Sequence, residues 1–122
     1  MKFTVSRKTW LRGTEATTLG KSYLLHPDNY KMCCLGFLAR ACGATDRDIL
    51  RHHSPRSTDV NVISWPEDIK PCVGSLSGMV CNSILTDSIM NVNDDDTLDD
   101  NQRETELKRL FAIGNIEIEF EE

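Results

Sequence analysis

A single α+β domain over residues 1–122, with a small antiparallel sheet packed against two main helices, is the fold class that the sequence predicts. Three observations carry it. Ile116-Glu117-Ile118-Glu119-Phe120-Glu121 alternates apolar and acidic residues, the two-residue period of a strand with one buried face. Residues 99–113 bring Leu107, Leu110 and Phe111 onto one helical face and stop at Gly114. Phe3-Thr4-Val5-Ser6 alternates again near the other end of the chain, in a basic context that suits a place beside the acidic strand. A length of 122 residues fits one domain and excludes a TIM barrel or a Rossmann enzyme with a substrate domain.

The sheet is expected from residues 2–10, 22–26 and 115–121. Trp10-Leu11 extends the apolar content of the first strand, and Arg12-Gly13 to Gly20-Lys21 reads as a polar loop. Ser22-Tyr23-Leu24-Leu25 reads as a second short strand, and His26-Pro27-Asp28-Asn29 as a turn whose Asp28 is placed to cap a helix over residues 30–42. Gly36 in mid-helix costs about 1 kcal/mol relative to Ala, so a close backbone approach is the expected reason for it. Thr45-Asp46-Arg47-Asp48 resembles a capping box and starts a short helix toward His52. Residues 54–78 read as mostly irregular, with 60–63 an edge strand and Trp65 packing onto the core. Residues 79–90 space Val80 from Ile84 and Leu85 from Ile89 by four and read as helix, and 91–96 reads as an acidic loop.

The hydrophobic fraction of 39% implies a modest core, and this favours a homo-oligomer. No run of about 18 apolar residues exists, so no membrane span is expected. Five cysteines and no apolar leader at the N-terminus point to reduced thiols in a cytosol. Residues 1–61 carry ten Lys/Arg against five Asp/Glu, whereas residues 62–122 carry four against fourteen. The basic half suits an anionic ligand, and the acidic half would repel a nucleic-acid duplex. Complementarity between the halves, within one copy or between two, is the plainer reading.

Catalytic and metal motifs are weak. Cys33-Cys34 are adjacent, and Cys42, Cys72 and Cys81 are scattered, which is not zinc-ligand spacing; core cysteines fit better. A Cys34–His26 thiolate pair lacks an identifiable third residue. Gly74-Ser75-Leu76-Ser77-Gly78 lacks a central nucleophile. Counted from Asp94, the acidic run has Asp99 and Thr105 where a calcium loop needs Gly and Glu. There is no Walker loop or dinucleotide fingerprint, and no cofactor or catalytic group is expected. Arg56, Arg103, Lys108 and Arg109 remain as phosphate-binding candidates, and Asn91 and Asn93 as readers of a base or ribose edge.

Trp10-Leu11-Arg12-Gly13, Ser22-Tyr23-Leu24-Leu25 and Lys31-Met32-Cys33-Cys34-Leu35-Gly36-Phe37 resemble a group of small phage and prophage proteins. Ile89-Met90-Asn91-Val92-Asn93-Asp94-Asp95, Arg103-Glu104, Leu110-Phe111 and the final strand extend the resemblance over most of the chain, the middle loop excepted. Among such proteins the sequence is similar to the first type of phage anti-Thoeris proteins. That resemblance implies a sponge in the host cytosol, which binds a cyclic ADP-ribose isomer used as an immune signal and does not cleave it. It also implies a pocket between protomers, with Arg56 and Arg109 on the phosphates and Asn91 on the base. The chain departs from the pattern at Cys81, where a ring to stack the base is wanted. A protein–protein inhibitor of a host defence component, with the acidic half as a decoy surface, is the alternative.

Overall fold

The computed structural model describes residues 1–18, 23–59, 62–70 and 83–122. Strand β1, Lys2–Ser6, buries Phe3 and Val5 and exposes Lys2 and Thr4, as its alternation dictates. The chain then turns, buries Trp10 and Leu11, and enters helix α1, Gly13–Thr18. Helix α2, Cys34–Ala41, buries Leu35 and Leu38 completely. Helix α3, Asp46–Ile49, opens on the Thr45 capping box, in which Thr45 N donates to Asp48 Oδ2 at 2.8 Å. A 3₁₀ turn, Pro55–Ser57, precedes Trp65, which is buried against the core. Helices α4, Ser83–Asp94, and α5, Asp100–Ile113, pack on each other. Strand β2, Glu117–Glu121, then returns to pair with β1.

The mixed α+β class is as expected, but the sheet is parallel, not antiparallel. Lys2 stands opposite Glu117 and Ser6 opposite Glu121. A parallel pair cannot be joined by a short hairpin, and here the connection runs through the five α-helices of the described residues, long enough to allow either direction. Of the expected strand 22–26, Leu25 makes a single parallel bridge to Leu50, and Leu24 N donates instead to His52 O. Residue 22 lies outside the described residues. The first strand stops at Ser6, where Thr9 N turns back onto Ser6 O, and does not reach residue 10.

The remaining differences have local causes. The expected polar loop at 12–21 contains α1. The helix expected from residue 30 starts at Cys34, because Asp28 sits in a turn and Tyr30 takes a left-handed φ of 57°. The acidic loop begins later than expected, since α4 runs on through Asn91 to Asp94. Val62 and Ile63 lie in a turn, and residues 60–61 and 71–82, Val80 and Cys81 among them, fall outside the described residues. Helix α5 follows the sequence closely. Asp99 Oδ1 accepts from Gln102 N at 2.8 Å, and Asp99 N donates to Gln102 Oε1 at 3.0 Å. The left-handed residue after it is Asn115, φ 58°, and not Gly114.

Val5, Leu24, Leu35, Leu38, Ile89, Leu107 and Phe111 meet in one core. Phe3 packs edge-on against Phe111 with ring centres 5.2 Å apart, which ties β1 to α5. No described helix is long and apolar enough to cross a membrane.

Candidate functional site

Two buried polar groups organise the space between the chain's early and late segments. Asn93, on the last turn of α4, is 1% exposed. Its Oδ1 accepts from Trp10 Nε1 at 2.8 Å and from Cys34 N at 3.1 Å. Its Nδ2 donates to Leu11 O at 3.0 Å and to Asp94 Oδ1 at 2.9 Å. All four side-chain hydrogen-bonding positions of the amide are filled. Cys33, the N-cap residue of α2, makes no side-chain cap, so Asn93 supplies the missing acceptor from another helix. Asn93 therefore holds the fold together and is not free to read a base.

Arg103, the second group, lies on α5 with a side chain 4% exposed. Its guanidinium donates to the carbonyls of Asp95 and Leu98 and to Asp100 Oδ1, which fixes the α4–α5 connection. Its Nε is buried with no partner among the described residues. Gly13 lies directly over it: a Cβ there would stand 2.7 Å from Nη2, and the φ of +56° also favours glycine.

Arg103 also lines a cleft of about 460 Å³, together with Arg7, Arg12, Lys31, Glu15, Asp96 and residues 98–100. Each cation is engaged. Arg7 grips Glu104 with two bonds of 2.8 and 2.7 Å. Arg12 grips Asp100 with two of 3.0 and 2.9 Å, and its guanidinium carbon lies 4.5 Å from the Trp10 ring centre. Lys31 pairs with Glu15 at 2.9 Å. The Arg7 and Arg12 pairs, together with Lys2 on Glu117 and Glu119, show the basic and acidic halves of the sequence complementing each other within one copy, whereas Lys31–Glu15 lies within the basic half.

The Arg12 hydrogen bond holds the Asp100 carboxyl below the usual carboxylate range, against the opposing effect of partial burial. A depressed folded value stabilises the fold above the unfolded value near ~4, and that contribution is lost as pH falls through the folded one. Asp100 is half exposed, so solvent screening limits the effect to about 1 kcal/mol or less. Asp100→Asn is therefore expected to be slightly less stable than the parent at about pH 7, with the gap narrowing as pH is lowered below about 4, by urea denaturation at each pH. A constant gap would show that the carboxylate charge contributes nothing.

Of the three predicted ligand residues, Asn91 is exposed on α4. Arg109 is exposed on α5, and its Nε donates to Glu106 Oε1 at 2.9 Å. Residue 56 sits in the 3₁₀ turn, and its side chain lies outside the described residues. The cleft cations Arg7, Arg12 and Lys31 were not singled out by sequence. Nothing local marks them, because Arg7 and Arg12 find their partners some 90 residues away. The proposed Cys34–His26 pair does not form. Cys34 is fully buried beside Asn93, and burial pushes its thiol well up, away from thiolate chemistry. His26 instead packs edge-on against Tyr23, and its Nδ1 accepts from Asp28 N at 3.1 Å. Among the described residues no group of three His, Cys, Asp or Glu side chains is placed to hold a metal ion.

No protein-family model, curated protein or solved structure matches the chain.

Proposed function

We propose that this chain is a phage-encoded sponge acting in the host cytosol. It binds a cyclic ADP-ribose isomer without cleaving it, and it works as a homo-oligomer. The observation that supports the reading is a convergence in space. Segments that carry the sequence resemblance lie far apart in the chain and come together: Asn93 bonds Trp10, Leu11 and Cys34, and Arg12, Gly13 and Arg103 line one cleft of mixed charge. A cleft of this size suits a small ligand. The two phosphates of such a ligand need charge-assisted donors to replace their water. Lys31 and Arg7 are partly exposed and can exchange a carboxylate partner for a phosphate. Arg56, Asn91 and Arg109 make a second donor set, which a partner protomer would have to bring together. Exposed Ile84 and Ile113 are apolar surface that such a protomer contact would cover.

The test is to incubate the chain with a cyclic ADP-ribose isomer, filter, and denature the retained protein by heat. Release of the intact ligand is the expected result; release of a cleaved product, or no retention, overturns the reading. Calorimetry then locates the ligand. A roughly tenfold or greater loss of affinity in Lys31→Ala points to the cleft, and the same loss in Arg56→Ala and Arg109→Ala points to the protomer interface. Light scattering is expected to give a mass above the 13.8 kDa of one chain, and a stable monomer at micromolar concentration would remove the oligomer from the proposal.

A further inference from the structure

The parallel sheet leaves one side of β2 without a strand among the described residues. Glu117 N donates to Met1 O, and Arg7 N donates to Glu121 O, each at 2.8 Å. In a parallel ladder of that register, residues 117, 119 and 121 of β2 spend their backbone groups on β1. Ile118 and Phe120 therefore turn their N–H and C=O groups to the outer edge. An open groove of about 840 Å³ reaches β2, lined by Lys108 and Ala112 of α5, by residues 115–119 and by Met1 and Lys2 at the start of the chain. An edge without a strand partner among the described residues, close to a groove, is a template for one more strand.

Charge selects what fits there. The solvent face of β2 carries Glu117, Glu119 and Glu121, all exposed, and Lys2 of β1 answers the first two only. A second copy of β2 laid along this edge would set its own glutamates against these, a like-charge pairing that opposes self-association. We propose that the outer edge of β2 takes up an extended segment of a partner protein in which basic and apolar residues alternate. The segment joins the sheet as a third strand. Its basic side chains lie over the glutamates. Its apolar ones turn to the other face, toward Ala112 and the aliphatic stem of Lys108. This surface is independent of the ligand reading, because the cleft is lined by other residues.

The probe is a labelled, end-capped heptapeptide of alternating Lys and Val, with binding to the intact chain read by fluorescence anisotropy. Two N-methylated versions block alternate sets of its amides. One is expected to bind at least about tenfold more weakly than the parent peptide and the other equally, since only one set of amides faces β2. Hydrogen exchange at the Ile118 and Phe120 amides is expected to slow on binding, and the double variant Glu119→Gln/Glu121→Gln to weaken binding roughly threefold or more at low salt. Equal binding by both methylated peptides, or by a peptide with the same residues in two blocks, would leave charge attraction alone and overturn the proposal. So would no binding at about 1 mM, or protection of the same amides by a dimer without peptide.

Discussion

Asn93→Leu is expected to destabilise the fold by about 4 kcal/mol, through the buried groups it orphans and not through lost volume. Leucine fills nearly the same space. It leaves Trp10 Nε1, Cys34 N and Leu11 O without the partners they have now, at about 1–3 kcal/mol for each that stays buried and unmet. Asn93→Asp tells the two halves of the amide apart. It keeps an acceptor for Trp10 and Cys34 but faces the Leu11 carbonyl with a second oxygen, so it is expected to recover only part of the loss. Urea denaturation of the three proteins measures both effects. A cost below about 1 kcal/mol for the leucine variant would mean that water replaces the amide and that the contact between α4 and α2 is dispensable.

Gly36→Ala is the second large effect, and its sign is the diagnostic. Helix propensity alone predicts a gain of about 1 kcal/mol, because alanine is the better helix former. The local geometry opposes this. A Cβ at residue 36 would penetrate the Leu24 carbonyl oxygen and stand 2.9 Å from both the Leu24 carbonyl carbon and Met32 Cβ. The carbonyl is backbone and cannot swing aside, so the segment at Leu24 must move away from α2. Overpacking of this kind costs about 1–3 kcal/mol or more, enough to reverse the propensity gain. Thermal denaturation is expected to show a lowered midpoint. A raised one would mean that the Leu24 segment yields freely.

These two residues also show what was legible in the sequence. Gly36 signals a close backbone approach in the sequence, because a mid-helix glycine is a cost that something must offset. Its partner, Leu24, was not identifiable, since nothing in the chain states which backbone segment crosses there. Asn93 was read as part of an acidic loop, because Asn and Asp favour loops when only local competition for backbone bonds is considered. Its actual partners, Trp10 and Cys34, lie far off in sequence and override that local preference. Helix α5 and strand β2 were legible for the converse reason. The spacing of Leu107, Leu110 and Phe111 before Gly114 and the Ile-Glu alternation are complete within a few residues. Strand adjacency followed from charge, whereas strand direction did not, because Lys2 can reach glutamates in either orientation. The cleft has no signature in the sequence because its ion pairs join residues 7 and 12 to residues 104 and 100, far apart along the chain.

The pairing of β1 with β2 has a kinetic consequence. The chain between them is about 110 residues long, and closing a loop of that size costs about 4 kcal/mol of chain entropy beyond the constant term. Five paired residues cannot recover that by themselves, so this contact is a poor starting point for folding. Helices α4 and α5 are neighbours in sequence, touch each other, and need only a short connection to meet. The order of events that follows is local assembly of the α4–α5 pair with β2 folded back on α5, and capture of β1 last, when Phe3 finds Phe111. Until that moment both sides of β2 are unpaired. The interval before capture is when the chain is most exposed to aggregation, and the row of glutamates on β2 is then its protection.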